Sequence, residues 1–196
     1  MRTICIFGDN IAAGKSAPNE EGWAHHFKKF VEERDPEISV INVSKIGATS
    51  RGVLSRIEGS LVEHKPEEVV IALGLNDSAY SFMNHCSLVS IEEFEKNMRE
   101  IVSMSLGYSK KVVVFGVLRV DERGSTFSDK QNSVYQYQNG LIQKYNEILK
   151  TISESLNVQF VDLYGLLSDE ELDDGYHPND EGHKKLFKEV LKALGK

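Results

Sequence analysis

Five short apolar runs, each followed by an amphipathic stretch of helical period, constrain this chain of 196 residues more than any other feature. The runs are TICIFG (3–8), ISVINVS (38–44), EEVVIALG (67–74), KVVVFGVL (111–118) and VQFVDLY (158–164). The stretches are EEGWAHHFKKFVEER (20–34), GVLSRIEGSLVEH (52–64), SIEEFEKNMREIVSMSLG (90–107), YQYQNGLIQKYNEILKTISESL (135–156) and DEGHKKLFKEVLKALG (180–195). Trp23, Phe27, Phe30 and Val31 share one face of the first stretch, and Leu54, Ile57, Leu61 and Val62 one face of the second, which predicts helices. Ser90, three residues before Glu93, makes a capping-box start, and Gly107 ends that helix. Strands that alternate with helices pair in parallel, because each crossover carries a helix onto a face of the sheet.

The predicted fold is therefore a three-layer α/β/α arrangement around a flavodoxin-like, five-stranded parallel sheet of order 2-1-3-4-5. Residues 67–74, apolar throughout, belong at its centre. A single domain over 1–196 is expected, with 119–133 polar and irregular. The formal net charge of −7 gives no reason to expect a nucleic-acid partner. The basic clusters HFKKF and GHKKLFKEVLK are interleaved with apolar residues at helical spacing and read as solvated helix faces. No apolar run approaches the roughly 20 residues of a membrane span. The first run is too short for a signal-peptide core and has Asp9 close behind it. Cys5 lies inside a strand and Cys86 in a polar loop, so no disulfide framework is expected and a cytoplasmic location is.

In a doubly wound sheet a ligand sits outside the carboxyl ends of the strands, beside strand 1. That rule selects GDNIAAG, SKIGATSRG, GLNDSAY, the loop after the fourth run, and DDGYHPND. Their chemistry-bearing residues are Asp9 and Asn10, Gly47, Asn76 and Asp77, and Asp174 with His177. His177 suits proton transfer near neutral pH, and Asp174 three residues earlier is placed to hold its other ring nitrogen. Read alone, each has a plainer role. His177 is a loop histidine beside Pro178, Gly47 turns the chain, Asn76 caps a following helix, and Asp9 braces its own turn. Tyr135 and Tyr137 could line a substrate pocket but are expected to pack the long helix, and His25, His26 and His64 are expected to be solvated.

These segments, taken together and in order, resemble the GDSL-type esterases of the SGNH hydrolase superfamily over nearly the whole chain. FGDNIAAG resembles the Gly-Asp-Ser block, Gly47 in IGATSRG the glycine block, GLNDS the Gly-x-Asn-Asp block and DGYHPN the Asp-x-x-His block. The resemblance implies ester hydrolysis through an acyl-enzyme, acting on a small-molecule ester of a small alcohol or sugar, without a cofactor. It implies a nucleophile at position 10, His177 as base and Asp174 as its orienting partner. It also implies an oxyanion hole made by the backbone N–H of Asn10, the N–H of Gly47 and the side-chain amide of Asn76.

The departure is at position 10, where the family pattern calls for serine. A carboxamide has no hydroxyl that a base can activate. Three readings follow: an esterase lacking only its nucleophile, a pseudoenzyme or binding module for an acyl or glycosyl ligand, or a site in which Ser50 or Ser78 attacks instead. Both serines read more simply as helix caps. In the binding reading Asn10 would offer the ligand both a donor and an acceptor. A nucleotide-binding protein is a further alternative, because GDNIAAGKS has Gly-Lys-Ser after a glycine, but with five residues between the glycines where a phosphate loop has four. His177 and His183, six apart, fit no usual zinc spacing, so no metal is expected.

Overall fold

The structure, a computed structural model, describes residues 2–129 and 131–196. In chain order it forms β1 (Arg2–Gly8), α1 (Trp23–Arg34), β2 (Ile38–Asn42), α2 (Ser50–His64) and β3 (Glu68–Ala72), then the short β4 (Tyr80–Ser81) and β5 (Cys86–Ser87). There follow α3 (Ile91–Tyr108), β6 (Lys111–Phe115), β7 (Thr126–Ser128), β8 (Val134–Gln136), α4 (Asn139–Ser155), β9 (Gln159–Val161) and α5 (Asp180–Leu194).

The main sheet has five strands in the order β2-β1-β3-β6-β9, all parallel, which is the predicted 2-1-3-4-5. Its register pairs Cys5 with Val69 and Ile71 with Val114. Ile4, Cys5, Ile6 and Phe7 in β1 and Val69, Val70 and Ile71 in β3 are all buried, as strands covered on both faces must be. α1 packs with α5, and α2 with α3 and α3 with α4, giving the two helical layers. Among the described residues, no helix is long and apolar enough to cross a membrane.

Several boundaries differ from expectation. α1 starts at Trp23 rather than residue 20, where the Trp23 N–H donates to Nδ1 of His183 from α5 at 3.2 Å. α2 starts earlier, at Ser50, with Thr49 accepting from the Gly52 N–H. Val62 points to solvent, since Leu61 beside it takes the inward position. The larger correction concerns 119–138. Residues 126–128 are a strand, and the stretch expected to begin a helix at 135 starts as β8. A second, antiparallel sheet of order β5-β4-β8-β7 results. Tyr80 pairs with Gln136 across more than fifty residues of sequence, a partnership no local pattern records. The Asp129 carboxylate closes the β7–β8 turn, accepting the N–H groups of Gln131 and Ser133.

Candidate active site

The carboxyl ends of β1, β2 and β3 and the turn before α5 bring Asn10, Gly47, Asn76, Asp174 and His177 into one chain of hydrogen bonds. Asn10 lies in the tight turn after β1, where Ile11 N–H donates to Asp9 Oδ1 at 3.1 Å. Asp9 thus braces the turn as expected. Asn10 is buried, with 6% of its surface exposed. Its Oδ1 accepts from the backbone N–H of Gly47 at 2.5 Å and from Asn76 Nδ2 at 3.3 Å. Both partners can only donate, so the oxygen must face them, and the amide nitrogen faces Nε2 of His177 at 3.1 Å.

Gly47 holds a positive φ of 77°, so it both turns the chain and presents its N–H. Asn76 begins no helix; α3 starts only at Ile91. Its Nδ2 also donates to the carbonyl of Ala48 at 2.9 Å, and its Oδ1 accepts from the hydroxyl of Tyr137 at 2.9 Å.

His177 is fully buried beside an Asp174 whose side chain is 43% exposed. Nδ1 of His177 meets Asp174 Oδ2 at 2.7 Å, while the other carboxylate oxygen accepts the backbone N–H of His177 at 2.9 Å. An Nδ1–H donating to a carboxylate leaves Nε2 as the acceptor, consistent with an Asn10 amide N–H pointing at it. Burial opposes the charge on Asp174, but the bonds from the His177 ring and backbone outweigh it and hold the carboxyl at about 2. The turn depends on close backbone approach. Gly175 has a φ of 92°, and a Cβ there would lie 2.8 Å from the backbone carbon of Gly124. The Asp121 N–H donates to the Gly175 carbonyl across the same contact.

Two further carboxylates, Asp77 and Asp9, lie next to residues of this chain. Asp77 accepts the Ser50 N–H at 2.8 Å and the Ser50 hydroxyl at 2.5 Å, tying the start of α2 to the loop after β3. Burial pushes Asp77 up to about 6 against those bonds. Burial likewise pushes Asp9 up to about 7, opposed by the Ile11 N–H and reinforced by Asp77. Ile11, Trp23, Leu73 and Phe115 line an apolar pocket beside Asp9, which explains the low polarity there.

These contacts sort the alternatives. Ser50 and Ser78 are fully buried and donate to Asp77 and to the Leu75 carbonyl, so neither is a free nucleophile, and Ser50 sits inside α2 rather than capping it. The turn after β1 uses the amides of Ile11, Ala13, Gly14 and Lys15 on its own oxygens, leaving no phosphate cradle. Asn10 does not present a free acceptor for a ligand, since its oxygen already takes two donors. His26 is half-buried with its Nε2 unpartnered, and His64 is also partly buried, so of these three histidines His25 alone is openly solvated. No cluster of three metal-ligating side chains occurs among the described residues.

Sequence reasoning passed over Tyr176 and favoured packing of the long helix over a place at the site for Tyr137. Tyr137, buried just after β8, stacks obliquely between Phe127 and Tyr176 with ring centroids 4.9 Å from each, and Tyr176 lies 4.3 Å from the His177 ring. The signal was present in YQYQ, whose two-residue alternation is that of a strand rather than a helix.

A family model described as the GDSL-like Lipase/Acylhydrolase family matches residues 6–185. An arylesterase of Vibrio mimicus is 24% identical over 98% of this chain and 88% of its own length. Esterase TesA of Pseudomonas aeruginosa is 26% identical over 68% of this chain, which spans only 63% of that protein. Among solved structures, the acetylxylan esterase Axe2 of Geobacillus stearothermophilus superposes with a TM-score of 0.77 at 22% identity, covering 100% of this chain and 94% of its own. The psychrotrophic esterase EstA from Pseudoalteromonas sp. gives a TM-score of 0.76 at 21% identity, with 100% and 97% covered. The match to the family model takes in all four segments around the bonded chain from Asn10 to Asp174, and the protein accordingly belongs to the GDSL-like lipase/acylhydrolase family, within the SGNH hydrolases.

Proposed function

We propose that this site is an acyl-enzyme ester-hydrolysing site in which Asn10 stands where the nucleophile belongs, leaving the chain impaired as written. The observation that carries this is the pose of the Asn10 side chain. It bridges two of the three expected oxyanion-hole donors, Gly47 N–H and Asn76 Nδ2, to the base, His177 Nε2. A serine hydroxyl at this position would leave those donors open to a substrate carbonyl and turn its own proton toward His177. His177 would take that proton as the oxygen attacks and return it to the leaving alcohol, with Asp174 holding the imidazole and stabilising its charge. The hole would bear the negative charge that develops on the carbonyl oxygen. Asn10 supplies no such proton and fills the hole with its own oxygen.

Esters of small alcohols or sugars are the substrates we favour. In support, the chain is similar to an acetylxylan esterase from Geobacillus stearothermophilus and an isoamyl acetate-hydrolyzing esterase from Saccharomyces cerevisiae, 23% and 26% identical. The test compares hydrolysis of p-nitrophenyl acetate by the chain as given and by Asn10→Ser. Loss of such a nucleophile costs about 10⁶ in kcat, so restoring it is expected to raise the rate by several orders of magnitude, and adding His177→Ala to remove the gain. No rise in Asn10→Ser would overturn this reading in favour of a binding module.

A further inference from the structure

We infer that Tyr137 is a positioning residue of this site, its hydroxyl holding the Asn76 carboxamide so that Nδ2 is aimed at the oxyanion hole. This deepens the esterase reading and rests on it. An asparagine amide is nearly symmetric in shape, and turned over it would present oxygen to a developing negative charge. Two contacts prevent that. The Ala48 carbonyl accepts one Nδ2 hydrogen at 2.9 Å, and Tyr137 donates to Oδ1 at 2.9 Å, so the second hydrogen is left for the hole. Burial, with Asp9, Tyr176 and Asp174 adding, pushes the Tyr137 phenol well above its ordinary value, so the hydroxyl keeps the proton it donates.

The phenol is itself fixed at both ends. The Tyr137 N–H donates to the Ser125 carbonyl at 3.1 Å, and the buried Ser125 hydroxyl donates back to the Tyr137 carbonyl at 2.7 Å. The ring is held between Phe127 and Tyr176. The small antiparallel sheet therefore delivers a hydrogen-bond donor to a catalytic amide that the parallel sheet positions only through the backbone.

The experiment places Tyr137→Phe in the Asn10→Ser background. The expected result is a fall in kcat of about tenfold to a hundredfold with KM little changed, a fraction of what losing a hole donor outright costs. On an Asn10→Ser/Asn76→Ala background, Tyr137→Phe is expected to cost nothing further, because its effect passes through Asn76. A kcat within twofold of the parent, or a loss that persists without the Asn76 amide, overturns the proposal. Should Asn10→Ser prove inactive, the esterase reading falls and a second measurement decides for Tyr137. In the chain as given, NMR of the Asn76 side-chain amide should show slow hydrogen exchange that Tyr137→Phe accelerates at least tenfold. Unchanged exchange would sink the proposal independently of any turnover.

Discussion

The two sheets of this protein solve different problems. The parallel sheet is a scaffold: β1 and β3 are buried on both faces, and the loops at their carboxyl ends, with the loop after β2, carry Asn10, Asn76 and Gly47. The antiparallel sheet is built of strands two or three residues long and mostly partly buried or exposed, yet it brings Tyr137 to Asn76. Stability therefore resides mainly in the first, and side-chain aim partly in the second. A site can draw its precision from an element that contributes little to holding the fold together.

The contrast is sharpest for two phenylalanines. Phe94 of α3 is fully buried, with its ring centroid 4.7 Å from that of Tyr145. Phe94→Ala should cost about 3–5 kcal/mol of unfolding free energy, through lost transfer energy and a cavity, read by urea denaturation. Phe127→Ala, removing a half-buried ring that flanks Tyr137, should cost only about 1 kcal/mol. It should nevertheless reduce the activity of Asn10→Ser about fivefold to tenfold. Equal stability losses at the two positions would erase the distinction between the core packed on the parallel sheet and the antiparallel sheet.

A third test, between these in size, concerns pH and the scaffold beneath Asn10. Asp9 has a folded value of about 7 against an ordinary 3.8, so between those values the native state holds a proton the unfolded chain has released. Stability from this group is full below the ordinary value and is lost as pH rises through 7. Asp9→Asn keeps an oxygen for the Ile11 N–H and removes the titration. Relative to the parent, it should gain about 2 kcal/mol or more between pH 4 and pH 8, measured by denaturation at each pH. His183, which burial holds down to about 4, with His26 adding and Asp180 opposing, slopes the parent curve the other way below its ordinary value. The difference between variant and parent therefore removes the His183 slope and leaves Asp9 with its coupling to Asp77. A pH-independent difference would mean that the carboxyl is solvated.

The strand order, both helical layers and the segments that hold the bonded chain were legible in the sequence, and the resemblance to the GDSL pattern singled out its five residues. Continuous apolar runs and helical periodicity are local signals, and in a doubly wound sheet they dictate where loops converge. The carboxylate–histidine pair was legible for the same reason, since Asp174 and His177 sit within one turn. What only the tertiary structure decided was the pose of Asn10, the pairing of Ser50 with Asp77, and the antiparallel sheet that carries Tyr137 to Asn76. Each joins residues far apart in the chain through a few hydrogen bonds or strands too short to show a period. Sequence fixes such contacts only by way of the packed fold, because a burial pattern records which face is inward and not which distant group it will meet.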